Sequence, residues 1–136
     1  MEIRLDHAIV HARDRRAAAQ LLGEILDRPW VAETGIGPFS AVYVSDTLTL
    51  DFDEMKSDEP VQLAHYAFRV SDAGFDAILA RLVERGIAYR STPIGPVDHQ
   101  INHAFGGRLL YWGEPDGHAW EILTVSYARQ TPPPSA

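Results

Sequence analysis

At 136 residues, the chain is long enough for one domain with a proper core and too short for two independent ones. Hydrophobic residues make up 46% and charged residues 23%, ordinary for a soluble globular protein, and a formal charge of −7 argues against general affinity for nucleic acid or anionic membrane. With no cysteine there is neither a disulfide framework nor a thiolate site, so any metal must be held by His, Asp or Glu. No apolar run approaches a membrane span, and MEIRLDHAIV lacks the cationic start and long apolar stretch of a secretory signal. The expected location is the cytoplasm and the expected partner a small molecule.

The chain opens with LDHAIVHARD, a strand leading into a helix with Asp14 as N-cap; Ala18, Leu21, Leu22, Ile25 and Leu26 follow at helical spacing. Strand patterns come next around Trp30 to Glu33, Phe39 to Val44 and Thr47 to Asp53. A second opening, LAHYAFRVSD, leads to Phe75, Ile78, Leu79, Leu82 and Val83 after Asp72, with Gly86 as a C-terminal stop. Further strand patterns lie at Ile87 to Arg90, Arg108 to Gly113 and His118 to Val125. The ending RQTPPPSA is Pro-rich and expected to fray over residues 128–136.

The two halves repeat. A shift of 58 positions superimposes Leu5 on Leu63, His7 on His65 and Asp14 on Asp72, and late in each half a carboxylate stands in matching context, Leu50-Asp51-Phe52 and Trp120-Glu121-Ile122. The expected fold is α+β: two βαβββ modules, about 1–54 and 61–127, in one domain spanning 1–127. Strand alternation sets Ala8, Val10, Leu48, Leu50, Phe52, Tyr66, Phe68, Val70, Trp120 and Ile122 on a helix-facing side. His7, Asp51, His65 and Glu121 fall on the other. Glu121 shares its face with Ala119, Leu123 and Val125, where an ionised carboxylate is costly unless paired, hydrogen-bonded or metal-bound. For an isolated Glu a salt bridge is the commoner answer, for a lone strand His a hydrogen-bonded core role, and for Asp51, beside Thr47, Thr49 and Asp53, a solvent face.

From LDHAIV to EPDGHAWEILT the sequence resembles the vicinal oxygen chelate superfamily, which includes glyoxalase I, extradiol dioxygenases, fosfomycin-modifying transferases and bleomycin-resistance proteins. The resemblance implies paired βαβββ modules forming a cupped, mostly antiparallel mixed sheet with helices on the outer face and a divalent metal inside the cup. By motif position it implies His7, His65 and Glu121 as metal ligands. In glyoxalase-like members a fourth carboxylate corresponds to Asp51, which is one methylene shorter than the usual Glu. Two imidazoles and one carboxylate with open positions suit a non-haem Fe(II) site, with Mn, Ni or Zn as other candidates.

A narrower resemblance covers INHAFGGRLLYWGEPDGHAWE, which is similar to the signature of type I extradiol ring-cleavage dioxygenases. It implies His103 as acid/base and Tyr111 as a hydrogen-bonding partner of bound substrate. An imidazole that titrates near neutrality suits the first role. The function this implies is Fe(II)-dependent ring cleavage of a catechol-like small molecule with vicinal oxygens. The alternatives are a glyoxalase-like lyase or isomerase, which ligation by Asp51 would favour, and non-catalytic drug binding of the bleomycin-resistance type. A homodimer is also implied. Among the remaining residues, His99 and His103 are four apart but flanked by Pro and Gly, which argues for a loop rather than a helical metal pair. His118 reads as structural, Arg108 as either an anion contact or a surface arginine, and Trp30, Phe39, Phe105 and Trp112 as pocket walls or core.

Overall fold

The computed structural model describes residues 1–130; residues 131–136, most of the expected Pro-rich tail, lie outside the described residues. The elements run β1 (His7–Ala12), α1 (Arg15–Leu26), β2 (Trp30–Val31), β3 (Phe39–Ser45) and β4 (Leu48–Glu54), then β5 (His65–Arg69), α2 (Asp72–Glu84), β6 (Tyr89–Arg90), β7 (Leu109–Trp112) and β8 (Ala119–Leu123). The chain divides into two compact units, Met1–Ala64 and the remainder from His65 onward. No helix among the described residues is long and apolar enough to cross a membrane.

Each unit is a βαβββ module with its own four-stranded mixed sheet, in the order β1-β4-β3-β2 and β5-β8-β7-β6. In both, the first strand pairs in parallel with the last, and the other pairings are antiparallel. The repeat extends to register. His7 stands opposite Thr49, two residues before Asp51, and His65 stands opposite Ala119, two residues before Glu121. Period-two alternation then places each His and its acid on one face of its own sheet.

In the first unit Asp14 caps α1: its backbone is extended, and its carboxylate accepts the Ala17 N–H at 3.0 Å, satisfying one of the free amides of the first turn. The buried stripe of α1 is Ala19, Leu22, Gly23, Ile25 and Leu26, rotated from the expected one, so Ala18 and Leu21 are only half-buried. The cause is Gly23, whose missing side chain lets Trp30 approach: a Cβ there would stand 2.9 Å from the Trp30 Cβ. Hydrophobic spacing gives a glycine no weight. On the strands Val10, Leu50 and Phe52 are buried as alternation requires.

In the second unit the cap of α2 is Ser71, not Asp72. The Ser71 hydroxyl accepts the Gly74 N–H at 3.0 Å, and Asp72 sits in the first turn, where its charge complements the helix N-terminus. Phe75, Ile78 and Leu82 are buried, while Val83, expected on the same stripe, is exposed. Gly86 follows the C-cap with φ +65°, the left-handed region that glycine enters without a Cβ penalty. Leu110, Trp112, Trp120 and Ile122 are buried on the strands, with Trp120 stacked on Tyr66 and Phe68.

Candidate metal centre

The two faces of β8 are both buried, and one of them carries the charge. Glu121 has 0% of its surface exposed and shares its side of the sheet with Leu123, Leu109 and Tyr111. Its carboxylate is met from two directions. The Tyr127 hydroxyl lies 2.9 and 3.0 Å from its two oxygens, a single O–H shared between two acceptors, and His65 Nε2 lies 3.1 Å from Oε1. The Tyr111 hydroxyl continues the chain at 3.2 Å from that of Tyr127, and the Tyr111 ring packs 5.9 Å from the His65 ring. Burial pushes the Tyr111 phenol up from its ordinary pKa. Burial, then the hydrogen bonds from Tyr111 and Glu121, push Tyr127 up further. Both therefore remain hydroxyl donors at neutral pH.

His65 Nδ1 is 3.0 Å from the Ala119 carbonyl oxygen. A carbonyl only accepts, so Nδ1 carries a hydrogen, and the ring turns Nε2 toward a carboxylate oxygen. At 3.1 Å that nitrogen and oxygen attract each other when a proton or a cation stands between them. A metal suits the spacing: donors about 2.1 Å from one ion, at right-angled to tetrahedral bond angles, stand roughly 3.0 to 3.4 Å apart. A ring held through Nδ1 by a carbonyl is also the usual setting of a metal-ligating histidine.

The first unit has a histidine and an acid in the matching places, with different partners. His7 Nδ1 lies 2.8 Å from Asp6 Oδ2, which again turns Nε2 outward; that hydrogen bond, reinforced by the Asp6 charge and more weakly by Asp51, raises the His7 pKa. Asp51 lies half-buried on the same face of its sheet as His7, and its side chain makes no hydrogen bond or ion pair among the described residues. Donor chemistry at His65 and Glu121 in the second unit fits a divalent ion, and the first unit sets the shorter Asp51 on the face of His7.

Glu114, Asp116 and His118 form another group able to hold a divalent ion, each offering a donor atom within 4.8 Å of the others. Glu114 already has a structural task. Its carboxylate closes the Pro115-Asp116-Gly117 turn by accepting the His118 N–H at 2.8 Å and the Asp116 N–H at 3.2 Å, which partly offsets the rise that burial imposes on its pKa. His118 is buried with its ring edge-on to Trp120.

No protein-family model matches the sequence, and no curated protein matches it. Solved structures do. The oxidase ChaP-H1 is 43% identical over 93% of this chain and 99% of its own, with a TM-score of 0.82; the oxidase ChaP-H2 is 37% identical over 94% and 98%, with a TM-score of 0.85. A glyoxalase/dioxygenase from Nostoc punctiforme, 19% identical over 90% of this chain and 91% of its own, shares the fold at a TM-score of 0.67. This chain belongs to the family of ChaP-H1 and ChaP-H2.

The distribution of the other candidates is informative. His103 lies exposed in the loop after the Asn102–Leu109 bridge, and no contact joins it to Tyr111 or Glu121 among the described residues. Arg108 is spent on structure: it pairs with Asp76 at 2.7 Å and Asp72 at 3.1 Å, and its guanidinium lies 4.4 Å from the centre of the Phe75 ring. Of the two readings of Arg108, anion contact or surface arginine, these partners favour the second. Phe105 packs 4.7 Å from the Tyr127 ring, next to the site, and Trp112 borders a cavity on β7. Sequence reasoning missed Tyr127, whose hydroxyl grips both oxygens of Glu121. Its signal was a lone aromatic six residues beyond a buried acid, where strand alternation has already ended.

Proposed function

We propose that this protein is an Fe(II)-dependent enzyme of the vicinal oxygen chelate superfamily, an extradiol-type ring-cleavage dioxygenase acting on a catechol-like small molecule, with His7, His65 and Glu121 as metal ligands. The observation that carries the reading is His65 Nε2 set 3.1 Å from a fully buried carboxylate oxygen, with Nδ1 of the same ring held by the Ala119 carbonyl. Identity of 37% and 43% to two proteins described as oxidases supports oxidative chemistry. A bound divalent iron would supply Lewis acidity and open positions for the adjacent oxygens of a catechol.

The chain's own residues supply the rest. Tyr127 fixes the Glu121 carboxylate and keeps it from swinging away. Tyr111 is the hydrogen-bonding partner of the bound substrate, turning its one O–H from Tyr127 to a substrate oxygen. Leu109, Leu123 and Phe105 surround these polar groups with apolar surface, which strengthens each electrostatic contact by keeping water out. His103 serves as the proton carrier on its loop, and catalysis of this kind is worth about 10²- to 10⁴-fold.

Asp51 carries the second reading. A carboxylate without a partner on the face of His7 suits a glyoxalase-like lyase or isomerase, in which an acid moves a proton without oxygen consumption. The two are separated with an oxygen electrode after anaerobic Fe(II) loading. Ring cleavage predicts catechol-dependent oxygen uptake that is lost in Glu121→Ala and lowered about 10²-fold or more in His103→Ala. Absence of uptake with every catechol offered to a metal-loaded protein would sink the dioxygenase reading, and uptake unchanged in His103→Ala would remove that residue from the mechanism.

A further inference from the structure

A cavity of about 360 Å3 opens beside β6 and β7, bordered by Arg90, Val97, Tyr111, Trp112 and Glu114. Its position follows from register. Arg90 stands opposite Tyr111, and Tyr111 stands opposite Glu121, so the three side chains lie in one row on one face of the second sheet. The row ends in a cation. Arg90 donates from one terminal nitrogen to the Gly95 carbonyl at 2.8 Å, which anchors the guanidinium, and makes no ion pair among the described residues. A guanidinium has five N–H donors, so most of its capacity remains.

Two acids of this region, Asp98 and Glu114, are engaged elsewhere. Asp98 accepts hydrogen bonds from the Ser91 amide and hydroxyl and the Gln100 amide, and the Ser91 hydroxyl is the main reason its pKa is lowered. Glu114, on the cavity wall, is taken up by two backbone amides. Arg90 differs in this from Arg15 and Arg108, which pair with carboxylates of their own unit.

We infer that this cavity is a subsite for the carboxylate of a planar aromatic substrate, recognised by Arg90 and flanked by Tyr111 and Val97. Guanidinium matches carboxylate through paired N–H donors, and Val97 and the Tyr111 ring give the substrate apolar walls. Two interstrand steps of about 4.8 Å put the backbones of Arg90 and Glu121 roughly 10 Å apart. An aromatic acid with vicinal oxygens at its far end spans that distance. The orientation of those oxygens toward Glu121 rests on the metal-site reading; the preference for an anion does not.

The probes are 3,4-dihydroxybenzoate and its neutral analogue 3,4-dihydroxybenzamide, titrated by tryptophan fluorescence into chelator-treated and Zn(II)-loaded protein. Wild type is expected to bind the acid about tenfold or more tightly than the amide in both forms. Arg90→Met should equalise the two ligands, Arg90→Lys should keep part of the preference, and Arg90→Gln replaces the Met variant if that one fails to fold. Glu121→Gln should lose Zn(II) while keeping the preference. Wild type that binds neither probe or does not distinguish them, or a preference that survives Arg90→Met, overturns the inference. Zn(II) binding that survives Glu121→Gln overturns the metal assignment alone.

Discussion

Tyr127 is the residue on which the candidate site turns. A carboxylate with no exposed surface is expensive to ionise without donors, and Tyr127 reaches both of its oxygens at 2.9 and 3.0 Å. Replacing it with Phe removes the hydroxyl and little volume. The metal-free protein should lose about 1 to 3 kcal/mol of stability from the orphaned acceptor, and metal affinity should fall about 10- to 100-fold. The same hydroxyl sets an alkaline limit. Its folded pKa lies above the unfolded value of about 10, so its contribution to stability is complete below about pH 10 and is lost as pH rises toward the folded value. Chemical unfolding across alkaline pH should show this decline in wild type and a flatter profile in Tyr127→Phe. Identical profiles would mean that the Tyr127 phenol is not the group that titrates.

Within each element, the sequence was legible where period and polarity agreed. Val10, Leu50, Phe52, Trp120 and Ile122 are buried on the helix-facing side, and Glu121 lies on the opposite face, because alternation leaves each side chain one choice. Helix α1 was legible in extent and cap but not in rotation, because its contact with Trp30 runs through Gly23. That contact gives opposed expectations for Gly23→Ala. Helix propensity alone favours Ala by about 1 kcal/mol. The new Cβ, however, would sit 2.9 Å from the Trp30 Cβ and 3.1 Å from the Arg28 carbonyl, and neither is the free end of a flexible side chain. Overpacking of this kind costs about 1 to 3 kcal/mol, so net destabilisation in urea unfolding is the expected sign. A gain of about 1 kcal/mol would show that α1 yields to the extra methyl. Arg90 was hidden for another reason: its place in the row with Tyr111 and Glu121 depends on a two-residue strand whose register no sequence pattern fixes.

For the molecule as a whole, the repeat was the most informative signal. Matching His7 with His65 and Asp51 with Glu121 pointed to two βαβββ modules, and in the structure each has its own sheet of the same strand order, with each His opposite the residue two before its acid. The ionisable matches carried this because apolar patterns of short βα units resemble one another by chance. A homodimer is the assembly we propose, and it allows the proposed ligands to come from one chain or from two. Mixing His7→Ala with Glu121→Ala protein decides between these. Sites shared across a dimer regain metal in the mixture, since a mixed dimer holds one intact site, whereas sites within one chain regain none. The most direct measurement is anaerobic Fe(II) titration of wild type, Glu121→Gln and Glu114→Gln, with bound metal determined after desalting. Stoichiometric binding by wild type and Glu114→Gln, lost in Glu121→Gln, is the expected result. Metal retained by Glu121→Gln and lost from Glu114→Gln would contradict it and move the ion to the Glu114, Asp116 and His118 group.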